Sequence, residues 1–194
     1  MIACLMSITY TLLWLSKGIS FSRAMNDTTS SSVKAYVGLG SNLGDRAGNL
    51  LLAVRGMMDA GLNVTRLSSI YETVPVDVVA QPLFLNMVAE LAGALPTPEQ
   101  LLARLLRIEY LLGRRREVLR GARTIDLDLL LYGDAQQTSE FLILPHPRLH
   151  LRRFALVGLA ELIPRQIHST LNRSFGELLA ETEDASGVQR WSAR

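Results

Sequence analysis

Cysteine is almost missing: Cys4 stands alone among 194 residues, so no internal disulfide can form. With 48% hydrophobic residues the chain can bury a sizeable core and needs no such staple. A lone cysteine also suits a reducing compartment, and a cytoplasmic protein is expected. Lysine is scarce, with only Lys17 and Lys34. Net charge is small: 20 basic against 18 acidic residues leave +2, too little for a general nucleic-acid binder. Aromatics reach only 6%, and none of them falls in the pattern an RNA-binding sheet displays. There is no internal repeat. The one apolar run, residues 1–16, is too short to span a bilayer comfortably, and no positive charge precedes it as a signal peptide requires. Met25 and the polar Asn26 to Ser32 follow. A signal or anchor, an organellar leader and a start codon placed too early compete to explain this stretch. The last is preferred, so residues 1–32 are expected to be a disordered or spurious extension, with no membrane partner.

What is present reads as alternating elements. Val33 to Leu39 predicts a buried strand ending at Gly38 and Gly40, whose glycines suit a tight turn. Ala47, Leu50, Leu51, Val54, Met57 and Met58 fall at helical spacing, and Gly61 ends that helix. Leu62 to Glu72 predicts a second strand, Thr73 to Pro82 a loop, and Leu83 to Leu91 a third strand. Thr97, Pro98 and Gln100 open a helix with a cap, an N1 proline and a glutamine at N3, and Gly113 stops it. Ile125 to Tyr132 predicts a fourth strand, a short hairpin follows to Leu144, and helices are expected near Arg152 to Ile163 and Phe175 to Ala180. The order β-α-β-β-α-β predicts an α+β, ferredoxin-like core: an antiparallel sheet with helices packed on one face, plus a C-terminal hairpin and helices. The domain is expected over residues 33–182, with 183–194 as a flexible tail.

Arginine supplies the charge that lysine does not. Arg104, Arg107, Arg114, Arg115, Arg116, Arg120 and Arg123 crowd one segment, opposed there only by Glu109 and Glu117. Arginine makes forked contacts to phosphate or carboxylate; for Arg104 and Arg107 a solvated helix face is explanation enough. The run leads into Arg123-Thr124-Ile125-Asp126-Leu127-Asp128-Leu129. On a strand, Ile125, Leu127, Leu129 and Leu131 can face the core while Asp126 and Asp128 point together to the other side, about 6–7 Å apart. Paired carboxylates invite a hard divalent cation, and metal plus arginine is the usual answer to polyphosphate charge. Phe84 and Asn86 share another strand face, where a flat heterocycle could stack and pair its edge. His146 sits between Pro145 and Pro147, rigid enough to touch phosphate or ribose. Gly38, Gly40 and Gly44 lack the Lys-Ser/Thr of a P-loop.

Together these segments resemble the 6-hydroxymethyl-7,8-dihydropterin pyrophosphokinase family. The similarity rests on Ala35 to Asp45, Tyr71-Glu72-Thr73, Gln81-Pro82 to Asn86, Arg107-Ile108-Glu109, Gly113-Arg114, Arg123 to Asp128 and Pro145-His146-Pro147-Arg148, in that order across residues 34–163. The resemblance implies transfer of pyrophosphate from ATP to the hydroxymethyl group of the dihydropterin, with AMP leaving, in folate synthesis. It implies two Mg²⁺ ions held by Asp126 and Asp128, and Arg114 and Arg123 nearest the transferring phosphates. Thr73, Val76, Phe84, Asn86 and Phe154 would form the pterin pocket. Glu109, Arg116, Arg120, Arg123, Leu129, Ile143, His146 and Arg152 would contact ATP. A monomer acting on small molecules alone is expected. The chain departs from the family pattern in three places: Arg120 is followed directly by Gly121 in a shorter loop without tryptophan, Pro147 stands where an aromatic residue is common, and Val74-Pro75 replaces Pro-Pro. The arginine-rich stretch Gly113 to Ala122 is expected to be a mobile lid. Rival readings are a non-catalytic effector-binding domain of the same fold and an RNA-binding domain.

Overall fold

In the computed structural model, residues 33–75, 81–114 and 121–193 are described. The sheet is built around β1 (Ala35–Ser41), an almost wholly buried strand. It pairs antiparallel with β4 (Phe84–Leu91) on one side and β5 (Asp126–Tyr132) on the other. Beyond β4 lie β2 (Val64–Leu67) and β3 (Tyr71–Thr73), and β8 (Val188–Arg190) pairs outside β3. Helix α1 (Arg46–Asp59) starts on an Asp45 cap, whose side chain accepts from Gly48 N at 2.9 Å. Helix α2 (Pro98–Leu111) starts on the expected Thr97–Gln100 capping box. Gly61 and Gly113 sit just past these helices at φ of 75° and 80°, a conformation that favours glycine. The strands β6 (Gln137–Thr138) and β7 (Ile143–Leu144) form the expected small hairpin. Helices α3 (Arg153–Leu162) and α4 (Phe175–Glu181) follow. The ferredoxin-like core is present as expected.

The two faces of the sheet are covered differently. Val37, Leu39, Leu85, Met87, Leu127 and Leu129 pack under α1 and α2 around Leu50, Met57, Leu101 and Leu105. On the opposite face Tyr36, Val88 and Leu130 pack against Leu156, Leu159 and Phe175 of α3 and α4. The core helices thus lie on one face, and the C-terminal pair covers part of the other. Gly158 permits the close approach of α3, since a Cβ there would lie 2.6 Å from Val88 Cγ2.

Several local expectations are corrected. The second strand is two: Ser68 breaks it, because its Oγ accepts from Val88 N at 2.9 Å where a continuing strand would use the Ser68 carbonyl. Leu131 faces α3 and not the main core, because a bulge in the β1–β5 register, where Tyr36 meets Leu131 and Val37 meets Leu129, shifts the alternation. Leu51 and Met58 are exposed, so the buried stripe of α1 is the narrower Leu50, Ala53 and Met57. Gly38 and Gly40 lie within β1 and form no turn. Arg104 donates to Ala60 O at 3.0 Å and so holds the end of α1. Residues 183–194, expected as a flexible tail, contribute β8, and Trp191 packs against the main core.

Candidate active site

Helices α3 and α4 cover only one end of their sheet face. The bare remainder is floored by Gly38 and Gly40, and a cleft of about 1030 Å³ opens there. The strand register decides what flanks the glycines. Asp126 stands opposite Gly40 on β5, and Asn86 stands opposite Gly40 on β4. Asp128 stands opposite Gly38. The alternation read from the sequence therefore places both carboxylates on the cleft side, while Leu127 and Leu129 are buried beneath. A Cβ on Gly40 would lie 2.8 Å from Asn86 Oδ1, so glycine is what allows the amide to occupy its place.

Arginines converge on the acidic pair. Arg114 bonds both Glu109 and Asp126 through Nη1, and Arg123 Nη2 lies 2.9 Å from the other Asp126 oxygen. Arg152 Nη1 lies 3.0 Å from Asp128 Oδ2. Burial, and then the charge of Asp128, raise the Asp126 pKa against the pull of Arg123 and Arg114. Glu109 is buried at the edge of the sheet, where its Oε1 accepts from Leu127 N at 2.7 Å. It borders the cleft and fixes both β5 and Arg114. Burial lowers the His146 pKa, although Asp128 opposes this, so the ring is neutral near pH 7. Its Nδ1 accepts from Arg148 N at 3.3 Å, which leaves the proton on Nε2.

On the other side of the glycines, Asn86 is nearly buried and donates to Thr73 Oγ1 at 2.7 Å. Phe84 and Phe154 border the same cleft. The guanidinium of Arg123 lies 5.2 Å from the Phe84 ring centre, and that of Arg152 lies 5.7 Å from the Phe154 ring centre. Each aromatic therefore neighbours a cation, within the range of a cation–π contact. Leu129 and Ile143 both border the cleft, Leu129 as part of the core and Ile143 on β7. Val76, Arg116 and Arg120, and most of the expected lid, lie outside the described residues.

One contributor carries no role in the sequence reading. Asn42, directly after β1, accepts at Oδ1 from Arg123 N at 2.7 Å and donates from Nδ2 to Gln81 Oε1 at 3.2 Å and Pro82 O at 3.3 Å. It ties the segment leading to Phe84 to the segment carrying Arg123. Its only signal in the sequence was an amide inside the Ser41-Asn42-Leu43 turn, which could as well have faced water.

Two carboxylates and three arginines line one cleft with a glycine floor, an amide and two phenyl rings, a donor set suited to phosphate beside an opening suited to a flat polar ring. The family model described as 7,8-dihydro-6-hydroxymethylpterin-pyrophosphokinase (HPPK) matches residues 36–164, and the chain belongs to this family. Similar proteins include the 2-amino-4-hydroxy-6-hydroxymethyldihydropteridine pyrophosphokinase of Bacillus subtilis, 43% identical over 161 residues that cover 82% of this chain and 91% of that one. The protein of the same name from Methylorubrum extorquens is 41% identical, covering 81% of this chain and 98% of the other. The mitochondrial folate synthesis bifunctional protein of Pisum sativum is 40% identical over 70% of this chain, which spans only 26% of that longer protein. Wild-type HPPK-DHPS of Plasmodium falciparum shares the fold, with a TM-score of 0.61, 16% identity, and coverage of 77% of this chain and 44% of that one.

Proposed function

We propose that the cleft holds the dihydropterin and ATP side by side and passes pyrophosphate between them. The observation that carries this is the row Asp126, Gly40, Asn86 across three neighbouring strands. Strands two apart are separated by about 10 Å. That suits a bicyclic ring whose polar edge meets Asn86 and Thr73 and whose exocyclic hydroxymethyl reaches toward the carboxylates. Phe84 and Phe154 would bound the ring above and below, with Val76 completing the pocket. Arg114, Arg123 and Arg152, with Arg116 and Arg120, would take the triphosphate. His146 would donate from Nε2, and Leu129 and Ile143 would border the base.

In the reaction the pterin hydroxyl oxygen forms a bond to the β-phosphorus of ATP. The bond from that phosphorus to the α,β-bridging oxygen breaks, AMP leaves with the bridging oxygen, and the hydroxyl proton is lost to solvent or phosphate. Little covalent chemistry falls to the protein, so positioning and charge neutralisation dominate. Arg114 and Arg123, both paired with Asp126, would neutralise the charge that develops on the transferring phosphates.

Asp126 and Asp128 fit Mg²⁺: their donors are hard oxygens, the Asp128 side chain is 37% exposed, and a cation offsets the burial and the Asp128 charge that together raise the Asp126 pKa. Bound there, Mg²⁺ would supply neutralisation and Lewis-acid polarisation of the phosphates. The reading includes two ions, a monomer and a cytoplasmic location. Among the described residues, those named here line one cleft of a single chain, and no helix is long and apolar enough to cross a membrane. Titrating free Mg²⁺ past the level that converts all ATP to its magnesium complex tests the ion count. Turnover that keeps rising supports two ions, whereas saturation at that level means one.

A further inference from the structure

The family match ends at residue 164, yet the chain continues over both walls of the pterin cleft. Helix α3 carries Phe154 at its second residue, and its N-cap, Arg152, makes no side-chain capping bond. The cap comes instead from the tail: Asp184 Oδ2 accepts from Arg153 N at 2.8 Å. Asp184 is itself set in a turn, its Oδ1 accepting from Ser186 N at 2.9 Å. Burial pushes the Asp184 pKa up, but these hydrogen bonds outweigh it and hold the carboxyl below its ordinary value. Four residues on, β8 begins. Val188 pairs with Thr73, Tyr71 with Arg190, and Trp191 N donates to Ile70 O at 2.8 Å. Thr73 in turn receives the Asn86 amide. The far half of α3 is tied to the same strand by Glu161, which accepts from Ser69 N at 2.8 Å and Tyr71 OH at 2.9 Å. Only the end of α3 that bears Phe154 depends on the tail.

We infer that residues 184–191 are a strap that sets the separation of the two pterin-binding walls, with Asp184 as the positioning residue for Phe154. This rests on the assignment of Phe154 and Thr73 to the pterin pocket. Asp184 touches no substrate; it acts through the first turn of α3. Without its cap that turn frays, and the Phe154 ring loses its fixed place opposite Phe84.

The test is equilibrium binding of 6-hydroxymethyl-7,8-dihydropterin to the full chain, in the presence of Mg²⁺ and a non-hydrolysable ATP analogue. Asp184→Ala should raise the pterin Kd about two- to thirty-fold, the span that loss of one helix cap covers. Asp184→Asn, which keeps one acceptor oxygen, should fall between, and carries the comparison should the alanine variant not fold. Ser174→Ala removes the cap of α4, outside the strap itself, and controls for general destabilisation. It should lower Tm comparably and bind pterin as the wild type does. Wild-type affinity in both Asp184 variants overturns the strap, as does equal weakening by Ser174→Ala. A wild type that binds no pterin overturns the assignment of the cleft, and the strap with it.

Discussion

Gly40→Ala isolates one atom of the argument. The backbone there is ordinary strand, so alanine adds no conformational strain, only a methyl group. That methyl would lie 2.8 Å from Asn86 Oδ1, 3.8 Å from Phe84 Cδ1 and 3.9 Å from Asp126 Cβ. A carbon–oxygen contact needs roughly half an ångström more, so the Asn86 amide must shift or turn. It is 7% exposed and held by a 2.7 Å bond to Thr73, so moving it breaks a buried hydrogen bond. Overpacking should cost about 1–3 kcal/mol of stability. The misplaced amide no longer matches the ring edge, and each unpaired polar partner costs about 1–3 kcal/mol of binding. That is about 5- to 150-fold in the pterin KM, with the ATP KM changed far less. Gly38→Ala is the control: its methyl would meet the buried apolar Leu130 at 3.3 Å and no polar group of the cleft. Steady-state kinetics with each substrate varied in turn decides the matter. A Gly40→Ala enzyme with wild-type pterin KM would refute the placement of Asn86 at the ring edge.

Three further outcomes are expected. Asp126→Ala and Asp128→Ala should fold normally and lose nearly all turnover, several kcal/mol of transition-state stabilisation, because both carboxylates face the cleft; near-normal kcat at ordinary Mg²⁺ would contradict this. Glu109→Ala should lower Tm, since the bond to Leu127 N disappears and Arg114 loses a buried partner; about 1–3 kcal/mol is expected, with a fall in kcat, and an unchanged Tm would contradict it. The buried Glu90 is pushed up by burial, but hydrogen bonds from Thr65, Tyr36 and Lys34 outweigh this and hold its pKa below 4.5. A depressed folded pKa adds stability that is complete above the unfolded value and disappears as pH falls through the folded one. Glu90→Gln should therefore flatten the fall of Tm below about pH 4.5, and an unchanged acid slope would assign that fall to other groups.

Much of the site was legible because strand alternation is rigid. Asp126 and Asp128 had to share a face once Ile125, Leu127 and Leu129 were taken as core. The capping box at Thr97 was equally plain, being a local hydrogen-bond pattern. The failures have one physical origin, pairing between distant segments. Gly38 and Gly40 look like turn residues locally, and only Asn86, across the sheet, shows why the strand omits a side chain at Gly40. Leu131 was assigned to the wrong face because a bulge is invisible to a period of two. Ser68 ended a strand because its hydroxyl met Val88 across the sheet. The tail read as flexible because nothing near Asp184 in sequence reveals the helix end it caps.

The central claim is attack on the β-phosphorus, and the products report it directly. With ATP, Mg²⁺ and 6-hydroxymethyl-7,8-dihydropterin, phosphorus NMR of the reaction should show AMP and the pterin diphosphate rising in equal amounts, with none formed when the pterin is omitted or when Asp126 is alanine. ADP with a pterin monophosphate, or AMP release independent of the pterin, would contradict it.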